Sequence, residues 1–326
     1  MSDIFHEFGI TAGSTIGVGY LGTIVSGILY GVTCVQTFHY FRSVTKDHWI
    51  IKVLVLTLLV LDTLHQALII HVFYWYLIDN YLNPIALLES VWSIGSEIIV
   101  NAVIAFLVES FLVYRVWKLS QNRMLAGLCE AFTVGHLTMN LVFPIRGLYI
   151  PNLLEAEAKL KTTGSSGLAV AVVTDVLISA SLAFYLHKNR TGFHRSDTMI
   201  DKLIALTVTT GILTTVFVIA NLIAYLTAPA ALYVLFFNFM LGKLYINALL
   251  TSLNARSFIS YGSNKGNSTS YMINSIPLHV LDDTAGSPDT KHEVTHQVAQ
   301  QDVSIDSPND LEASTSIGSF DIKNKL

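Results

Sequence analysis

Seven long apolar runs constrain this chain more than any other feature. They fall near Ile16–Phe41, Trp49–Ile78, Leu88–Trp117, Met124–Phe143, Leu168–His187, Leu203–Leu226 and Ala230–Leu253. A helix crosses the hydrocarbon core of a bilayer, ~30 Å thick, with about 20 residues, and each run is long enough. The runs are continuous rather than alternating apolar and polar, so barrel strands fit them poorly. The second and third are longer than the core requires, which implies tilt or extension beyond the bilayer. Only 13% of the 326 residues are charged, against about 25% in soluble domains. Those charges gather between the runs and in the tail after Arg256. The expected fold class is all-α: a polytopic membrane protein, a seven-transmembrane-helix bundle with a disordered C-terminal tail. The expected divisions are an extracellular N-terminus over 1–15, the helical domain over 16–256 and a cytosolic tail over 257–326.

Orientation follows from where Lys and Arg fall, because basic loops stay in the cytosol. Arg42, Lys46 and Lys52 follow the first run; Arg115, Lys118 and Arg123 surround the end of the third; Lys188, Arg190, Arg195 and Lys202 follow the fifth. On the other side stand only Arg146, Lys159 and Lys161, the lysines accompanied by Glu155 and Glu157. The N-terminus is therefore expected outside or in a lumen and the C-terminus in the cytosol, with the plasma membrane favoured. Met1 to Ser14 carry no Lys or Arg, so a cleaved signal is not expected. The sequons at Asn189 and Asn267 then face the cytosol and stay unmodified.

Turn chemistry adds detail. Pro229 sits in a very short connection between the last two runs, which makes them antiparallel neighbours. Pro144 and Pro151 are expected to end or kink the fourth helix. Gly164-Ser165-Ser166-Gly167 reads as a flexible external loop. The tail, rich in Ser, Thr and Asp, lacks a long apolar run and reads as disordered.

Ionisable residues inside the runs are the candidate functional groups. Lys243 lies in the last run, where a lysine near the bilayer centre costs ~2.5–3.5 kcal/mol. Asp62 and His65 share a face of the second run, Glu97 and Asn101 a face of the third, His136 and Asn140 a face of the fourth, and Lys243 and Asn247 a face of the seventh. Glu109 lies nearer the cytosolic end. At 1.5 Å per residue, Lys243 is ~16 Å from Asn254 and Asp62 ~20 Å from Trp49, so both sit at similar depth. An Asp62–Lys243 ion pair is expected, with His65 and Asn101 nearby; the alternative is that Lys243 snorkels to the interface while Asp62 bonds a backbone or hydroxyl group.

Other residues read more plainly. Cys34 and Cys129 cannot form a disulfide framework and are expected as small buried hydrophobes. Phe73-Tyr74-Trp75-Tyr76 and Trp92 read as an outer aromatic belt, and Trp49, Tyr114 and Trp117 as its inner counterpart. No P-loop, zinc-protease helix, nucleophile elbow or paired zinc cysteines occur. No catalytic residue or metal ligand is singled out, and no cofactor is expected.

Several strings, taken in order, carry a resemblance. They are Asp62-Thr63-Leu64-His65, Tyr114-Arg115-Val116-Trp117-Lys118-Leu119-Ser120, Arg190-Thr191-Gly192-Phe193-His194-Arg195-Ser196-Asp197, Gly242-Lys243-Leu244-Tyr245 and Leu253-Asn254-Ala255-Arg256. Together, over Ile16 to Arg256, they resemble a large family of fungal seven-span membrane proteins defined by a domain of unknown function and abundant in mushroom-forming fungi. The resemblance implies a seven-helix membrane domain and carries over no catalytic residue. G-protein-coupled receptors are similar in topology only: Tyr114-Arg115-Val116 is not their acidic-Arg-aromatic string, and no Asn-Pro precedes Tyr245.

The function expected first is a receptor-like or sensor protein. Its partners would be the lipid bilayer, a small-molecule or lipid-like ligand between the helices, and a cytosolic signalling partner at the basic loops. Nucleic acid is not among them, and the sequence sets no oligomeric state. A secondary transporter using Asp62, His65 and Lys243 is the alternative, followed by a structural membrane protein.

Overall fold

Each apolar run becomes one helix. The computed structural model describes residues 17–43, 47–81, 83, 86, 89, 91–150, 153–190, 194–227 and 233–264. Side chains are described over the same residues, apart from 153, 154, 156, 157, 194–200, 202, 203 and 256–264. The helices are α1 (Val18–Ser43), α2 (Trp49–Tyr74), α3 (Trp92–Ser120), α4 (Arg123–Gly147), α5 (Leu153–Lys188), α6 (His194–Thr227) and α7 (Tyr233–Asn264). A π-helical turn, Trp75–Asp79, prolongs α2. All seven are long and apolar enough to cross a membrane, the architecture of an integral, multi-pass membrane protein.

Helix is the state these runs must adopt, because lipid offers backbone groups no hydrogen-bond partners. Hydroxyls in the runs close on their own helix. Thr33 donates to the Leu29 carbonyl at 3.2 Å, Thr63 to Leu59 at 2.8 Å and Thr174 to Val170 at 2.8 Å. The ends have identifiable stops. Gln121 takes the left-handed conformation (φ 55°) and its N–H bonds the Trp117 carbonyl at 2.9 Å. The next residue, Asn122, accepts from the Met124 and Leu125 amides at 3.0 and 3.3 Å and so opens α4. Two residues thus reverse the chain between α3 and α4.

Contacts define one end of the bundle, called the basic end below. Asn189 donates to the Leu119 carbonyl, Arg115 to Ser252 and Asn254 to the Gln36 carbonyl. At the opposite end, Tyr76 donates to the Glu89 carbonyl and Tyr225 to that of Leu160. Inside, α7 is the most buried helix: 56% of its spanning window is buried, against 44% or less for the other six. Its Ile246, Leu249 and Leu250 pack with Tyr40 of α1, Val55 and Leu58 of α2, and Ile104 and Val108 of α3. Nearer the opposite end, Phe239 joins Ile69, Val72, Phe73 and Ile94. The α1–α7 approach is close. A Cβ on Gly22 would stand 3.0 Å from the Phe236 Cα, tighter than nine in ten real Cβ contacts. Leu21, Ile28, Val35, Leu56 and Val60 point outward and exposed, an apolar face suited to lipid.

Several expectations need correction. Gly164-Ser165-Ser166-Gly167 is not a loop but lies within α5. The small residues serve packing and local bonding: a Cβ on Gly164 would strike the Tyr225 ring, and Ser165 and Ser166 donate to the Thr162 and Thr163 carbonyls. The third helix starts at Trp92 rather than Leu88. Pro144 is buried inside α4, which ends three residues later at Gly147. The basic residues assigned to loops largely ride on helices that outrun the apolar stretches. Arg115 and Lys118 lie in α3, Arg123 begins α4 and Lys188 ends α5. Lys118 sits over the Tyr114 and Trp117 rings, while Arg190 pairs with Asp201. The aromatic string splits: Tyr74 and Trp92 are exposed, but Phe73 and Tyr76 are core residues. Cys129 is buried and Cys34 half-buried. Helix α7 continues past Arg256 to Asn264. The N-terminus over 1–15, the connection with Pro229, the Arg195 side chain and the tail beyond 264 lie outside the described residues.

Candidate functional site

The polar residues of the runs converge on α7. Lys243 is fully buried and its Nζ donates to Asp62 Oδ1 at 2.5 Å and to the Asp62 carbonyl at 3.0 Å. The Tyr30 ring lies 5.3 Å from the same ammonium, close enough for cation–π attraction. Helices α1, α2 and α7 therefore meet around one cation. Asn247, one turn along, donates to the Leu29 carbonyl at 3.2 Å and to the Lys243 carbonyl at 2.8 Å. Burial of two charges in lipid is tolerable only when they neutralise each other and find further donors or acceptors.

A second set adjoins the first. His65 Nε2 is 3.1 Å from Glu97 Oε2, and both side chains are completely buried. The Asn238 amide donates to the Glu97 carboxyl at 3.1 and 3.3 Å. Asn101 donates in turn to the Asn238 side-chain and backbone oxygens at 3.1 and 3.3 Å. A Cβ on Gly242 would stand 2.5 Å from Asn101 Oδ1, so a larger residue there would push this amide away from α7. Beside His65, Gln66 accepts from Ser26 of α1 at 2.8 Å.

A third set lies toward the basic end. His136 Nδ1 of α4 meets Glu109 Oε1 of α3 at 2.9 Å. The Tyr245 hydroxyl donates to Asp175 Oδ2 of α5 at 2.9 Å. Two cavities border this set. One, about 40 Å³, is lined by Glu109, Asp175, Tyr245, Arg115 and Ser252 among others. The other, about 30 Å³, is lined by Tyr245, His136, Asn140, Asn101 and Asn238 among others. Below them Arg115 donates to Ser252 at 2.6 Å. On the α1 side Gln36 donates to Thr251 at 3.2 Å and accepts at its carbonyl from Asn254 at 3.0 Å.

The structure thus brings Asp62, Lys243 and Asn247 into one cluster and His65, Glu97 and Asn101 into the next. It places Lys118, Arg123, Lys188 and Arg190 at the surface of the basic end, away from both. Sequence reasoning did not single out Asp175, Asn238 or Tyr245. Asp175 was detectable as a lone carboxylate in an apolar run; Asn238 offers no charge and Tyr245 no spacing that marks it. The donor set is rich in carboxylates, imidazoles and amides. It is suited to holding charge and exchanging protons.

Comparison with known proteins adds one finding: residues 171–258 match the model of a family described as a family of unknown function, DUF6534. The match begins in the second half of α5, covers α6 and takes in α7 past Lys243. It is narrower than Ile16 to Arg256, the stretch over which the resemblance was read. No curated protein and no solved structure matches the chain.

Proposed function

We propose that this multi-pass membrane protein is a receptor-like sensor in which α7 is the switching element. One observation carries the reading. Along a single helix, Asn238, Lys243, Tyr245, Asn247, Ser252 and Asn254 bond to four neighbours, α1, α2, α3 and α5. A helix fixed by discrete polar latches has two arrangements, latched and released. A ligand that favours one shifts the population toward it. In this reading the basic end faces the cytosol. A small or lipid-like ligand acts between the helices, and the continuation of α7 to Asn264 carries the change to a cytosolic partner. The Asp62–Lys243 pair is the principal latch. The test is proximity labelling from a C-terminal fusion of the full chain in cells, wild type against Asp62→Asn and Lys243→Met. Cytosolic proteins labelled by the released variants and not by wild type support the reading. Identical labelling at equal membrane expression overturns it.

A secondary transporter is the second reading. It is favoured by one specific observation: Asp62, His65 and Lys243 are completely buried beside Glu97, as proton or substrate groups of a transporter would be. Substrate-driven proton movement in proteoliposomes is its test.

A further inference from the structure

The ends of α3, α4 and α5 are tied together at the basic end. The Asn189 side chain donates to the Leu119 carbonyl and so holds the end of α5 against the end of α3. Only Gln121 and Asn122 separate α3 from α4. Beneath, Val113 and Val116 of α3, Cys129 of α4, and Ile178 and Leu182 of α5 form one buried apolar cluster. Lys118, Arg123 and Lys188 stand on this platform, one from each helix. Lys118 and Lys188 adjoin the Asn189–Leu119 contact in sequence, and Arg123 follows it by one helical turn's worth of chain.

These cations lack a protein counter-charge. None of the three pairs with a carboxylate among the described residues, whereas neighbouring Arg190 pairs with Asp201. No Asp or Glu occurs from Phe111 to Cys129 or from Val176 to Ser196. Lys118 and Lys188 have a local use, since they sit in the last turns of α3 and α5, where a cation offsets the negative end of a helix. Arg123 has none. It is the first residue of α4, the positive end, and α4 has no acid in its first turn.

Their depth narrows the class of anion. Side chains on a helix lean toward its N-terminus, which for α3 and α5 is toward the bilayer. Lys118 Nζ lies 5.7 and 5.6 Å from the Tyr114 and Trp117 ring centroids, and Lys188 Nζ 6.0 Å from that of Tyr185. Both ammoniums fold back over rings instead of extending past the helix ends. Within about one and a half turns further in, Tyr114 of α3, Leu128 of α4 and Phe184 of α5 are exposed. Cations at the helix ends with exposed apolar groups just inside them follow the layers of a phospholipid, phosphate outside and acyl chain inside. A soluble anion would use the outer layer alone.

We infer that the α3–α4–α5 surface at the basic end binds an anionic phospholipid. Its headgroup phosphate lies among Lys118, Arg123 and Lys188, and its acyl chains lie against the exposed apolar residues just inside. The site is on the outside of the bundle, apart from the α7 latches, and holds under either functional reading. Anionic lipid gains about fivefold in affinity, or ~1 kcal/mol, for each Lys or Arg near the surface.

Trp117 reports on the site directly. The chain has four Trp, so Trp49→Phe, Trp75→Phe and Trp92→Phe together leave Trp117 alone. The full chain in phosphatidylcholine vesicles is titrated with phosphatidylserine or phosphatidylcholine carrying brominated acyl chains, which quench indole fluorescence on contact. Phosphatidylserine should bind beside Trp117 at least about fivefold more strongly than phosphatidylcholine, the equivalent of one basic residue. The preference should fall with salt and vanish in Lys118→Gln/Arg123→Gln/Lys188→Gln. Brominated phosphatidylcholine should quench that triple variant as before, which separates loss of the site from loss of the fold. A chain keeping only Trp92, at the opposite end, should show no such preference. Native mass spectrometry checks the same result without the Trp substitutions: wild type should retain phosphatidylserine and the triple variant should lose it. Equal quenching by the two lipids at Trp117, a preference that survives in the triple variant, or an equal preference at Trp92 overturns the site. Equal quenching together with retention of wild type, and not the triple variant, on an immobilised acidic peptide would assign the three cations to a soluble partner instead.

Discussion

Breaking the Asp62–Lys243 contact by halves should be far more damaging than removing it whole. At the 2.5 Å separation and an effective dielectric of about 20, Coulomb attraction is about 6–7 kcal/mol. Desolvating each ion costs several kcal/mol, so the intact pair contributes little net stability. The asymmetry appears when one partner goes. Asp62→Asn leaves the Lys243 ammonium with neutral partners in place of the carboxylate: the amide oxygen and backbone carbonyl at position 62 and the Tyr30 ring. An uncompensated buried charge of this kind costs about 3–5 kcal/mol. Lys243→Met strands the carboxylate at similar cost. The double variant strands nothing and should lie within about 1–2 kcal/mol of wild type, a coupling energy of several kcal/mol. Unfolding of the four proteins in lipid–detergent micelles, followed by loss of helical signal against rising denaturing detergent, measures the cycle. If the single losses simply add in the double variant, the buried-pair reasoning is wrong.

Two further outcomes follow from the packing and the ends. Gly22→Val places a branched side chain against the Phe236 backbone and should destabilise the α1–α7 contact by about 1–3 kcal/mol, while Gly31→Val, which meets nothing within 4 Å, should be neutral in the same detergent titration. Asn189 uses its amide nitrogen to bridge the Leu119 and Tyr185 carbonyls at 3.2 and 2.8 Å, so it should carry no glycan; a tag at the N-terminus accessible to protease in intact cells, with Asn189 unmodified, fits the basic end in the cytosol, and sugar on Asn189 contradicts it.

The spans were legible because length and composition decide them: a continuous apolar run has no other stable state in lipid. Lys243 and Asp62 were legible for the converse reason, since a charge in such a run is costly and must meet its opposite. What failed were readings that borrow soluble-protein rules. Gly164-Ser165-Ser166-Gly167 has the composition of a loop, yet its small side chains let α5 approach Tyr225. Helix ends also moved, because Lys118 and Lys188 continue α3 and α5 past the apolar stretch. Asp175 and Tyr245 are 70 residues apart; no local pattern couples them, and only the packing of α5 on α7 does. Asn238 and Asn101 belong to the same class, amides whose role depends on the facing helix.

The seven helices are unequal, and that has a consequence at the basic end. Helices α5, α6 and α7 run 36, 34 and 32 residues, whereas α1 and α4 run 26 and 25. At 1.5 Å per residue the longest is ~54 Å and the shortest ~38 Å. The added length is not apolar length: the spanning segments of α1, α4, α6 and α7 are 26, 25, 24 and 23 residues, so one bilayer thickness suits all four. What outruns the spans of α6 and α7 is 194–203 and 256–264, about 15 and 14 Å of helix. Both stretches lie at the basic end, so the bundle's reach past the lipid is concentrated on that face.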